Sequence, residues 1–91
     1  MTVIDHSSRA TWIPRLPRRH EIVTTGGVQG VLDVGAALRA CAFPVSDFFV
    51  DVRDGVPYSS VTCTVSLTNA ECSTFAERLT ALPAVVSVEP R

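Results

Sequence analysis

Residues Tyr58 to Leu67 alternate cleanly. Val61, Cys63, Val65 and Leu67 are apolar, and Ser60, Thr62, Thr64 and Ser66 between them carry hydroxyls. Successive side chains on a strand point to opposite faces, so this run is a strand with one dry face and one polar face. The sheet that contains it has a core on one side only; its other side is wet or meets something polar. Asp54-Gly55, just upstream, is the strongest short hairpin signal in the chain. It joins the strand to Val45–Arg53, where Phe48, Val50 and Val52 face one way and Asp47, Phe49, Asp51 and Arg53 the other.

Helical spacing flanks this hairpin on both sides. Val31, Val34, Gly35, Leu38 and Ala42 form one apolar stripe over a predicted helix 31–42. Gly35 costs stability there, and close approach to the sheet is the expected compensation. Pro44 forbids further helix and pushes Phe43 extended. Thr68-Asn-Ala-Glu71 fits a capping box ahead of Cys72, Phe75, Ala76 and Leu79, and Pro83 ends that second helix. Two outer strands complete the set. Residues 19–25 are β-branched and stop at Gly26-Gly27, and Ala84 to Glu89 contains Val85-Val86-Ser87-Val88. The order strand, helix, strand, strand, helix, strand predicts an α+β, ferredoxin-like βαββαβ fold. Right-handed crossovers place both helices on one face of a four-stranded antiparallel sheet. Phe49 and Tyr58 fall on the open face, which implies that a partner or a second copy covers it.

At 91 residues and 9.8 kDa the chain holds one small domain, read as residues 18–91 behind a flexible arm of residues 1–17. The arm contains Pro14 and Pro17, and its Trp12-Ile13 pair packs either back on the domain or onto a neighbouring subunit. A core this small gains from oligomerising or docking. Hydrophobic residues are 46% and charged residues 19%, a globular balance. All basic residues are arginine, and the net charge is -1, which gives no general case for nucleic acid. The basic stretch Arg15-Leu-Pro-Arg-Arg19 reads as a solvated lead-in to the first strand. No apolar run approaches the ~18 residues that span a bilayer, and the start lacks the basic-then-apolar order of a signal peptide, so no membrane contact and a cytoplasmic location are expected.

Cys41, Cys63 and Cys72 are odd in number, have no CxxC spacing and lie in apolar patterns; they read as buried reduced thiols. His6 and His20 offer no metal-ligand spacing and no Cys–His pair. Asp47 and Asp51 stand about 13 Å apart at strand rise, too far for a carboxylate dyad. Asp33 and Arg39 are solubilising charges on the outer face of the first helix. No catalytic constellation, metal or cofactor is expected.

The segments Gly30-Val31-Leu32, Leu38-Arg-Ala-Cys-Ala-Phe43-Pro-Val45 and Leu79-Thr-Ala-Leu-Pro83-Ala-Val-Val-Ser-Val88-Glu resemble the ACT domain, a small amino-acid-sensing module, over roughly residues 19–90. In its free-standing form the family is similar to the small regulatory subunit of acetohydroxyacid synthase. The resemblance implies a non-catalytic regulatory or accessory subunit in amino-acid biosynthesis. It implies a homodimer, a possible larger enzyme subunit as partner, and a small amino-acid effector, branched-chain amino acids among them, held at the dimer seam. The contacts it implies come from Gly27, Val28, Gln29, Gly30 and Val31. The family's Asp or Asn in the turn is replaced here by Gly27 and Gln29, so backbone amides would take the effector's carboxylate and Gln29 would add an amide.

Gly26-Gly-Val-Gln-Gly-Val31 also resembles the phosphate-cradling loop of acylphosphatase. The catalytic Arg of that family falls at Val34, and its water-orienting Asn near Asp51. Without that Arg the resemblance implies a degenerate phosphate-binding protein rather than an active enzyme. A structural partner subunit that binds no ligand is a third reading.

Overall fold

The computed structural model describes residues 14–91. Trp12, Ile13 and His6 lie outside the described residues. The elements follow the expected order: β1 (Leu16–Thr24), α1 (Gly27–Ala40), β2 (Val45–Asp51), β3 (Ser59–Leu67), α2 (Asn69–Thr80) and β4 (Val85–Pro90). The four strands form one sheet in the order β2-β3-β1-β4, every neighbouring pair antiparallel. This is the ferredoxin-like βαββαβ arrangement.

β3 is the spine of the sheet because its alternation is complete. Val61, Cys63, Val65 and Leu67 are fully buried under the helices, and Ser60, Thr62, Thr64 and Ser66 are only half-buried. β1 adds Ile22 to the core, α1 adds Val31, Val34 and Leu38, and α2 adds Phe75 and Leu79. β1 starts at Leu16, three residues ahead of the predicted strand. Leu16 and Pro17 lie opposite Leu67 and Ser66, so β3 carries the pairing past Pro17, which cannot donate to the ladder.

α2 begins with the capping box read from sequence. The Glu71 amide donates to Thr68 Oγ1 at 3.2 Å, and the Thr68 amide donates to Glu71 Oε1 at 2.9 Å. Two of the helix's four orphan amides are thereby satisfied.

β2 departs from simple alternation. Val45 pairs with Val65 and Ser46 with Thr64, and the register then jumps to Phe49 opposite Thr62. Asp47 and Phe48 together stand opposite Cys63, which is a β-bulge, and Asp47 takes a φ of 50°. Aspartate tolerates that left-handed backbone better than most residues. The bulge brings Val45 and Val50 to the same helix-facing side, opposite Val65 and Val61. Phe49 lies on the open face as expected. Phe48 and Val50 stay about half exposed because β2 is an edge strand with no neighbour beyond it.

Gly35 does not serve the expected close approach. A Cβ built there meets nothing within 4 Å. The stripe is carried by Val31, Val34 and Leu38 without it. Cys41 caps α1 rather than filling the core: its amide donates to the Ala37 carbonyl and its thiol to the Leu38 carbonyl at 3.0 Å. No helix among the described residues is long and apolar enough to cross a membrane.

Candidate functional site

The residues Gly27, Val28, Gln29, Gly30 and Val31 form the first turn of α1, not a loop ahead of it. The helix starts four residues earlier than predicted because Gly26, at φ 79°, turns the chain sharply out of β1. That left-handed geometry is open to glycine at little cost. Gly30 is then forced by contact. A Cβ on it would lie 1.9 Å from the Thr25 carbonyl oxygen, well inside van der Waals contact. The tight strand-to-helix turn therefore requires Gly30, whatever else the turn does.

The N-cap Gly26 has no side chain to cap this helix, and its first turn carries no acidic residue. The leading amides consequently keep the partial positive charge of a helix N-terminus. Val28 is 61% exposed beside them, and Val31 is buried beneath. The Gln29 side-chain amide is already partly engaged. Its Nε2 donates to Asp33 Oδ1 at 2.9 Å, one turn along the helix. The structure brings all five expected residues together, with backbone amides as the available donors.

The acylphosphatase-like roles are not brought together. Val34 is wholly buried, so a side chain at that position enters the core. Asp51 lies on β2, paired with Arg53 across 3.2 Å on the surface. Among the described residues no three His, Cys, Asp or Glu cluster to hold a metal ion.

Sequence reasoning missed a second apolar surface next to this turn. Leu32 is 58% exposed and, with Ala36 and Phe48 of β2, lines an open apolar groove of about 530 Å³. Val28, Leu32 and Ala36 recur at i, i+4, i+8, which was the signal available. The neighbouring Asp33 and Arg39 are exposed, as expected of solubilising charges.

His20 was also under-read. It lies on the core face of β1 opposite Cys63, is 6% exposed, and stacks at a tilt on Phe75 with ring centroids 4.9 Å apart. Burial lowers its pKa below the usual imidazole value, and the adjacent Arg18 charge lowers it further, against a raising hydrogen bond to the Arg18 carbonyl. Its even-numbered place with Ile22 and Thr24 was the clue. Burial also pushes the Cys63 thiol up to about 11, so this Cys–His juxtaposition supplies no thiolate at neutral pH.

No family model matches the chain, and no curated protein matches it. Solved structures do. The solution structure of the ACT domain from the GTP pyrophosphokinase of Chlorobium tepidum superimposes with a TM-score of 0.73 at 10% identity, over 84% of this chain and 85% of that one. Its crystal structure gives 0.70 at 12% identity, over 85% of this chain and 99% of that one. Strand order, helix placement and these superpositions agree: the chain has the fold of an ACT domain.

Proposed function

We propose that this chain is a non-catalytic regulatory domain that binds a small amino acid at the N-terminus of α1, at the seam of a homodimer, and modulates a larger biosynthetic enzyme. The observation that carries the reading is the uncapped, acid-free first turn of α1 within an ACT fold. An amino-acid carboxylate is the natural partner of such amides. Gly27, Val28, Gln29, Gly30 and Val31 are the proposed contacts, the carboxylate on the amides and the effector's apolar side chain against Val28.

The seam follows from β2. As an edge strand it offers unpaired backbone groups, and the apolar groove of Leu32, Ala36 and Phe48 lies beside it. A second copy placed edge to edge would continue the sheet and cover that groove. The open sheet face with Phe49 and Tyr58 is the alternative dimer contact, since both are more than half exposed.

Thermal unfolding of the purified chain against each free amino acid tests the proposal. A ligand at 100 times its Kd adds about 2.7 kcal/mol, several degrees in Tm for a domain this small. One chemical class of amino acid is expected to stabilise, and Gln29→Glu, which sets a charge against the carboxylate, is expected to remove the response while leaving the fold intact. A flat profile across all amino acids favours the ligand-free partner subunit. The Gln29–Asp33 hydrogen bond supports that second reading, because it engages one N–H of the one side-chain amide at the turn.

A further inference from the structure

The buried imidazole of His20 has no part in the site proposed above. It lies on the helix-facing side of β1, and its ring meets Phe75 of α2 at 4.9 Å between centroids. Phe75 is the bulkiest buried side chain of the core, and Leu79 is the only other buried residue of α2. We infer that His20 is an acid-sensitive latch for α2: protonation of its ring frees α2 from the sheet while α1 and β3 stay in place.

The surroundings of the ring favour its neutral form. A carbonyl only accepts, so the 3.2 Å contact of Nδ1 with the Arg18 oxygen places the neutral ring's proton on Nδ1. A second proton must go to Nε2, which has no hydrogen-bond partner among the described residues. Across the strands the ring faces Cys63 of β3 and Pro90 of β4, and Cys72 of α2 lines the same groove. Arg18, two residues back on the same face, sets a like charge against an imidazolium. Arg19 and Glu21 on β1 point to the opposite face of the sheet, as do Glu89 and Arg91 on either side of Pro90. Glu71 of α2 is held by the Thr68 amide and by Arg15 at 2.8 Å. Glu77 is exposed, and Arg78 lies over Phe43. No carboxylate among the described residues is therefore left to pair with the charged ring. Burial lowers the His20 pKa most, against the carbonyl hydrogen bond, and the Arg18 charge lowers it further.

The response falls on α2 because α2 is the more lightly held helix. α1 buries Gly30, Val31, Val34 and Leu38, and Gly30 closes on the Thr25 carbonyl. α2 buries two residues, and its side-chain ties, Arg15 to Glu71 and Arg18 to Asn69, are exposed polar contacts at one end. Elements with few buried apolar contacts open at the lowest free energy. Opening returns His20 to water, where an imidazole titrates at about 6.5. Between that pH and the lower folded value the open form holds one more proton. Its population therefore rises up to about tenfold for each pH unit lost.

Hydrogen exchange of the intact chain tests the latch, read amide by amide by NMR and corrected for the intrinsic exchange rate. The range is about pH 7.5 to about pH 5, above the ordinary carboxylate pKa values. Protection of the α2 amides from Cys72 to Thr80 is expected to fall about tenfold, and that of α1 and β3 to hold. His20→Phe keeps an aromatic ring against Phe75 without a titrating nitrogen, and α2 protection should then be constant across the range. The two helices are compared within the unaltered protein, so the test survives a variant that folds poorly. Unchanged α2 protection would overturn the latch, as would an equal loss in α1, β3 and α2, which marks global unfolding. An acid-induced loss that persists in His20→Phe would overturn it too. None of these readings involves an added amino acid, so effector binding at the first turn of α1 stands or falls separately.

Discussion

At the scale of single residues, three positions decide matters that composition hides. Gly30 and Gly35 sit on one helix and look alike in sequence, yet only Gly30 is held by contact, against the Thr25 carbonyl. Gly30→Ala is expected to destabilise by about 1–3 kcal/mol through overpacking. Gly35→Ala should stabilise by about 0.5–1 kcal/mol through helix propensity, both read from urea denaturation. A bulky residue at Gly30 is therefore a poor probe of ligand binding, because it breaks the turn first. Thr24 is wholly buried, and its Oγ1 has no hydrogen-bond partner among the described residues. Thr24→Val keeps the shape and removes that orphan hydroxyl, and a gain of about 1 kcal/mol is expected in the same assay. His20 has a folded-state pKa below its unfolded value of 6.5. The unfolded chain thus binds the proton first, and stability should be full above pH 6.5 and fall as pH drops through the folded pKa. His20→Phe should flatten that part of the pH profile of Tm.

At the scale of elements, legibility tracked burial. β3 and α2 were readable almost to the residue because their patterns are unbroken and Thr68 and Glu71 mark the helix start. α1 was read four residues short, since Gly26-Gly27 and Gly30 look like loop until the close contact that needs Gly30 is seen. The bulge at Asp47-Phe48 was invisible, because a one-residue insertion in a register is a property of the pair of strands, not of either strand alone. Position in the sheet was likewise out of reach for β2, so the shared face of Phe48 and Val50 could be read but not that the strand is an edge. The candidate turn was legible as a set of five residues. Its donor chemistry was legible only in part, because the Gln29 amide pairs with Asp33. If the β2 edge and the Leu32–Phe48 groove form the dimer seam, Phe48→Arg should give a monomer by light scattering, at little cost to the fold because Phe48 is 45% exposed. A Phe48→Arg chain that stays dimeric would move the contact to the open face of Phe49 and Tyr58.

At the scale of the whole molecule, a four-stranded sheet with helices on one face leaves two kinds of unfinished surface, an apolar edge and an uncapped helix terminus. Both lie at α1 and β2, which is why dimerisation and effector binding are proposed as one event rather than two. A ligand at that seam would be sensed by both copies, and its binding would tighten their association by linkage. The most direct measurement is an amide NMR titration of the intact chain with leucine, isoleucine and valine, followed by the remaining amino acids. Saturable shifts centred on Gly27, Val28, Gln29, Gly30 and Val31, from one class of amino acid and abolished in Gln29→Glu, are the predicted result. Unmoved resonances at those five amides with every amino acid would contradict the account.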